Sequence, residues 1–168
     1  DDISLLTLQG SGMVGVAGIS ARLFGALYAA KINVILITQG SSEHTISFAV
    51  KPSDASTARI AIEEAFQLEM QNHLIEPLRV ENNLSCIAVI GENMKNTPGV
   101  SGRLFQALGR NGVSVVATAQ GSSELNISTV IHKADLMKVV EAYTGDGSFK
   151  LTVDKDAKAL RLTADYVA

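Results

Sequence analysis

The stretch that decides the fold is ISLLTLQGSGMVGVAGISARLFGALYAAKINVILITQGSSEHTISFAV, residues 3–50. It returns without a gap at 84–131 as LSCIAVIGENMKNTPGVSGRLFQALGRNGVSVVATAQGSSELNISTVI. Gly10 falls on Gly91, Met13 on Met94, Gly18 on Gly99 and Ser20 on Ser101. Arg22-Leu23-Phe24 falls on Arg103-Leu104-Phe105, and the pentapeptide QGSSE at 39–43 recurs at 120–124. A period of about 80 residues is too long for a solenoid repeat and reads as a pseudo-symmetric pair of modules. The expected division is 1–81 for the first module, 82–153 for the second and 154–168 for a C-terminal tail.

Both copies read alike. Residues 3–9 and 84–90 are short, apolar and β-prone, hence strands. A Gly-rich loop follows. Apolar residues then recur at helical spacing over 18–30 (Ile19, Leu23, Ala26, Leu27) and over 99–111 (Val100, Leu104, Ala107, Leu108). Residues 33–39 and 113–119 are Val/Ile-rich strands, and QGSSE joins them to strands at 45–51 and 126–131 as a hairpin connection. A second helix is expected at 54–71 with Ser53 as its N-cap, with a shorter counterpart at 134–143. A strand near 76–81 closes the first module. The order is βαββαβ twice, an α+β fold. Right-handed crossovers then place two helices on one face of a four-stranded antiparallel sheet. In the tail, alternation at Phe149, Leu151 and Val153 suits a fourth strand for the second module, and Leu160 and Leu162 suit a further strand.

Composition narrows the function classes. Hydrophobic residues make up 46% and charged residues 18%, enough for a folded core. A net charge of −3 with scattered basic residues gives no footprint for nucleic acid or an anionic membrane. Cys86 is the single cysteine and is read as a small buried hydrophobe, which fits a reducing, cytoplasmic setting. No signal-peptide pattern opens the chain, and no apolar run reaches the about 18–20 residues a membrane span needs. His44, His73 and His132 share no metal-ligand spacing, Glu63-Glu64 reads as a solvated helix face, and Arg22 and Arg103 read as helix residues facing solvent or a partner. No catalytic constellation and no cofactor are expected.

One motif invites a different reading. Gly10-Ser11-Gly12-Met13-Val14-Gly15 is a formal GxGxxG between a strand and a helix. A dinucleotide site needs an acidic residue about 20 positions on. The second strand instead ends Ile37-Thr38-Gln39, and the other copy, Gly91-Glu92-Asn93-Met94-Lys95-Asn96, breaks the pattern. A turn that lets elements pack closely explains the glycines without a nucleotide. A further reading keeps the anion preference of a helix N-terminus and supplies it with the carboxylate of a free amino acid, beside Gln39.

These quoted stretches resemble the tandem ACT regulatory region of aspartate kinases, nearest the threonine-sensitive type fused to homoserine dehydrogenase. The likeness covers about 3–133. It implies ACT-like (ferredoxin-like) modules that self-associate, and a non-catalytic chain that binds an end-product amino acid, threonine foremost, in the cytoplasm. It implies a kinase domain in the parent chain, an ATP-dependent phosphotransferase. By the same resemblance, Gln39 and Gln120 contact the effector, with Ile37, Ser41 and Ser122 nearby. The loops contribute Met13, Val14, Gly15 and Ala17 in the first module and Met94, Asn96, Thr97 and Pro98 in the second. Two other readings stay open: the glutamines satisfy hairpin backbone groups, and the chain is a ligand-free assembly module of the same enzyme. A nucleotide-binding enzyme fragment is the third reading, and it predicts affinity for NAD or ATP.

Overall fold

A computed structural model describes residues 2–40, 42–90, 94, 96–121, 126–139, 150–154 and 159–163, the last two segments as backbone. The chain forms two units, Ile3–Asn82 and Asn83–Ala168, the latter grouped with Asp1–Asp2.

The first unit holds β1 (Asp2–Gln9), α1 (Ile19–Ala29), β2 (Leu36–Gln39), β3 (Thr45–Val50), α2 (Ala55–Ala65), α3 (Gln67–Gln71) and the start of β4 (Arg79–Ile90). The strand order is β2-β3-β1-β4. β1 and β2 both pair antiparallel with β3, Leu6 opposite Phe48 and Gln39 opposite Ile46. Beside β1, Ser4 Oγ donates to Asn82 Oδ1 at 2.6 Å and the Glu76 N–H donates to the Gln9 carbonyl at 2.9 Å. Period-two alternation sends Leu6 and Leu8 of β1 and Ile46, Phe48 and Val50 of β3 into one core. Ile19, Leu23 and Leu27 of α1 and Ala58 and Ile62 of α2 cover them at helical spacing. Each large aliphatic side chain so buried contributes about 1.5–3 kcal/mol.

Three expectations need correction here. The helix expected at 54–71 is broken: α2 ends at Ala65, Phe66 takes φ −114 and ψ 21, and α3 restarts at Gln67. Phe66 is fully buried in the core at that break. Ser53 is not a helix N-cap. Pro52–Asp54 form a 3-10 turn leading into α2, and Ser53 Oγ donates to Asp54 Oδ1 at 3.1 Å instead. Arg22, by contrast, is exposed as expected, and its guanidinium also lies 4.1 Å from the Phe66 ring centroid and 2.5 Å from Glu69 Oε1. Strand β2 is also shorter than its apolar run. Residues 33–35 stay irregular, although the Ile35 N–H still donates to Ala49 at 2.8 Å.

The second unit repeats the plan with the rest of β4, α4 (Val100–Arg110), β5 (Val115–Gln120) and β6 (Asn126–His132). Its core joins Ile87 and Val89 to Val100, Leu104 and Leu108 of α4 and Ile127 and Ile131 of β6. Lys133–Asp135 form a 3-10 turn and 136–139 are helical; residues 140–143 of the expected helix lie outside the described residues. The tail supplies β7 (Lys150–Asp154) and β8 (Ala159–Thr163). The alternation at 149–153 predicts the strand beside β4, but β8 takes that place, running parallel with Val89 opposite Leu162. β7 pairs antiparallel with β8, so it has the direction a fourth strand needs but lies one place further out. Phe149 lies outside the described residues.

Candidate functional site

The loop between β1 and α1 is shaped by what crosses it. A Cβ on Gly10 would lie 2.2 Å from the Leu74 carbonyl oxygen and 2.6 Å from Ile75 Cα, and one on Gly12 would lie 2.7 Å from Leu74 Cβ. The Gly12 N–H donates to that same Leu74 carbonyl at 2.9 Å. The first two glycines of the nucleotide-like motif thus admit the 74–75 backbone, leaving no room there for a pyrophosphate. Met13 follows, 2% exposed, and anchors the loop in the core.

Beyond Met13 the loop opens. Gly15 has φ 69 and Gly18 has φ 91, left-handed values that glycine adopts at little cost. Gly18 precedes α1, and no side chain caps the helix. The first intrahelical bond is Arg22 N–H to the Gly18 carbonyl at 2.9 Å, so the preceding first-turn N–H groups have no helical partner. They carry the positive end of the helix dipole.

Opposite stands the first QGSSE hairpin. Gly40 N–H donates to Thr45 and Glu43 N–H to Gly40, both at 3.1 Å, which closes the turn. The Gly10 N–H reaches His44 at 3.1 Å and ties the hairpin to the loop. Between hairpin and loop lies an open cleft of about 490 Å³ lined by Met13, Gly15–Ala21, Gln39, Glu43 and Ile46. That volume falls in the range of small-molecule sites, about 300–1,000 Å³. Glu43, a non-glycine at φ 55, sends its carboxylate to the Gly15 N–H at 3.0 Å.

Of the first-module candidates, the structure brings Met13, Gly15, Ala17 and Gln39 to this cleft. Val14 is 51% exposed on the same loop and Ile37 is exposed on β2; neither lines the cleft. Ser41 and Ser122 lie outside the described residues. In the second module Gln120 ends β5 exposed, Met94 is buried like Met13, and Asn96, Thr97 and Pro98 lead to Gly99. The backbone repeats closely. Gly99 has φ 86, Arg103 N–H donates to Gly99 at 3.0 Å, and Thr97 N–H donates to Met94 at 3.2 Å. The start of α1 lines the cleft, where the sequence suggests an anion-favouring helix N-terminus; Ile46 was not foreseen there, and Glu43 reads from sequence as a solvated hairpin charge. The uncapped glycine before α1 was the available signal for the helix start, and nothing marked the reach of Glu43.

A sequence model of the ACT domain family matches residues 6–66 and 87–144. The chain is 42% identical over 142 residues to a bifunctional aspartokinase/homoserine dehydrogenase of Haemophilus influenzae, covering 84% of this chain and 17% of that protein. It is 37% identical over 142 residues to the chloroplastic enzyme of the same description from Daucus carota, covering 84% and 15%. Among solved structures, the ligand-free regulatory subunit of aspartate kinase from Thermus thermophilus superimposes with a TM-score of 0.72. It is 25% identical, with 86% of this chain and 92% of that one covered.

Proposed function

Because this chain belongs to the ACT domain family, we propose that it is the regulatory region of an aspartate kinase and that it binds an end-product amino acid, threonine. It spans less than a fifth of the two bifunctional relatives, and we assign the catalysis to other parts of the parent. The parent we propose is an ATP-dependent aspartate kinase fused to homoserine dehydrogenase, working in the cytoplasm, with chains that self-associate through these modules.

The observation that carries the reading is the uncapped start of α1 facing Gln39 across an open cleft. The first-turn N–H groups suit a carboxylate. The Gln39 amide offers an oxygen to an ammonium and an NH₂ to a hydroxyl, the two polar groups threonine carries besides its carboxylate. Met13, Ile19 and Ile46 give the cleft an apolar floor for a methyl group. Effector binding then inhibits only if it favours one arrangement of the parent over another, with a coupling of about 1–3 kcal/mol.

Thermal unfolding of the 168-residue chain with threonine, lysine, methionine, isoleucine, homoserine, NAD and ATP tests this. A ligand at about 100 times its Kd adds about 2.7 kcal/mol and raises Tm by a few degrees. Threonine is expected to raise Tm, and Gln39→Ala to remove the effect. A chain that dimerises but responds to no amino acid makes this an assembly module instead.

A further inference from the structure

We infer that Glu43 is a built-in competitor for the effector: its carboxylate occupies a loop N–H that the effector's own carboxylate takes over, so that binding must release the hairpin from the loop. This rests on the effector reading above and goes beyond it, because it assigns an opposing role to a residue of the site itself.

Three observations carry it. First, the Gly15 N–H is among the donors lining the cleft, and it is already engaged, by Glu43 Oε2 at 3.0 Å. Second, among the described residues that line the cleft Glu43 is the one acidic side chain, and a carboxylate arriving at α1 meets it as a like charge. Third, Glu43 holds φ 55, a conformation non-glycine residues adopt at a cost. Within the turn its backbone donates to Gly40 at 3.1 Å, while its side chain reaches back across the cleft, 28 residues along the chain, to the loop. The contact therefore spans the two walls between which the ligand must fit.

The consequence is mechanical. Gln39 and Glu43 flank one tight turn. An effector that draws Gln39 inward and expels Glu43 changes the turn at both ends, and β3 leaves that turn to enter the core through Ile46 and Phe48. Empty and occupied sites thus differ in the hairpin as well as in the ligand, which is the differential contact that allostery requires.

Calorimetric titration of threonine into the wild-type chain and into Glu43→Gln tests the competition. Gln keeps the reach and loses the charge. Binding is expected to tighten about fivefold, or about 1 kcal/mol at 1.4 kcal/mol per decade, the difference between a charge-assisted and a neutral hydrogen bond. Glu43→Asn, which tolerates a positive φ and falls short of the loop, is expected to tighten binding as well. Amide exchange at Gly15 supplies a readout that needs no ligand, and it is expected to quicken in Glu43→Asn. If threonine binds the wild-type chain and either variant binds equally or more weakly, Glu43 holds the ammonium or is idle, and the competitor role is overturned while the effector reading survives. Unchanged Gly15 exchange in Glu43→Asn overturns it too. If neither wild type nor variants bind an amino acid, the effector reading falls and this inference falls with it.

Discussion

Gly10→Ala tests the account of the Gly-rich loop most directly. The added Cβ meets three backbone atoms: the Leu74 oxygen at 2.2 Å, Ile75 Cα at 2.6 Å and the Leu74 carbonyl carbon at 3.0 Å. No rotamer change relieves a clash with backbone. A carbon–oxygen contact needs about 3.3 Å, so residues 74–75 must retreat by about 1 Å. That segment is fastened by Gly12 N–H to Leu74 and by Glu76 N–H to Gln9, both at 2.9 Å, and by buried Ile75. Overpacking costs about 1–3 kcal/mol, and each weakened backbone bond about 1 more, giving about 3–5 kcal/mol. The unit Ile3–Asn82 has a total stability of about 4–12 kcal/mol at ordinary per-residue values, so the variant sits near its unfolding limit. Gly15→Ala is the control. Nothing lies within 4 Å of its Cβ, and the cost is the left-handed backbone alone, about 1–2 kcal/mol. The chain has no tryptophan, so urea unfolding is followed by far-UV circular dichroism. With m about 1 kcal/mol/M, Gly10→Ala lowers the midpoint by about 3 M or more. A Gly10→Ala midpoint at or above that of Gly15→Ala refutes the packing explanation and reopens the loop to a ligand role for its first glycines.

Thr129 is 1% exposed and its hydroxyl has no hydrogen-bond partner among the described residues, so Thr129→Val is expected to stabilise the chain by about 1 kcal/mol, read as a higher urea midpoint. Arg22 hydrogen-bonds Glu69 and holds its carboxyl below the ordinary value of 4.5. Both groups are partly solvated, so the pair adds only about 0.2–1 kcal/mol. The folded value lies below the unfolded one, so this increment is present above pH 4.5 and vanishes as pH falls through the lowered value. Comparing Glu69→Gln with wild type from pH 7 to pH 3 checks this, and the difference should close at the acid end. Burial pushes the half-buried Cys86 thiol above its ordinary range, so its reaction with a thiol-specific reagent at neutral pH should be slow in the folded chain and fast in urea.

The repeat made the element order legible, because period-two and helical spacings survive where identities differ. The left-handed loop position is an example: Gly15 at φ 69 corresponds to Asn96 at φ 58, the two residue types that best tolerate that region. What stayed illegible depends on tertiary contact. Apolar periodicity runs through Phe66, and nothing in it marks the end of α2 there, where the ring is buried with the Arg22 guanidinium 4.1 Å away. The glycines at 10 and 12 looked like a ligand loop because their partner, Leu74-Ile75, lies more than 60 residues away. Gln39 was legible as the end of a strand beside the loop, and the cleft lies where that placement puts it. Glu43 was not, since a charged residue at a hairpin tip reads as solvated until its 3.0 Å contact with Gly15 is seen.

The same comparison argues that the two modules are unequal toward an anion. Their helices begin alike, each behind a left-handed glycine with no side-chain cap. Their loops do not. Ala17, on the first cleft, corresponds to Pro98, which brings no N–H. Val14 corresponds to Lys95 and Val16 to Thr97, so the second loop trades apolar positions for a cation and a hydroxyl. A carboxylate recognised through backbone donors therefore has one donor fewer available in the second loop. Duplication has kept the scaffold, with Gln39 and Gln120 at the same strand end, while the loop chemistry has diverged. On the proposed effector reading, Gln39→Ala is expected to weaken threonine binding in calorimetric titration more than Gln120→Ala does, and equal losses would refute the inequality.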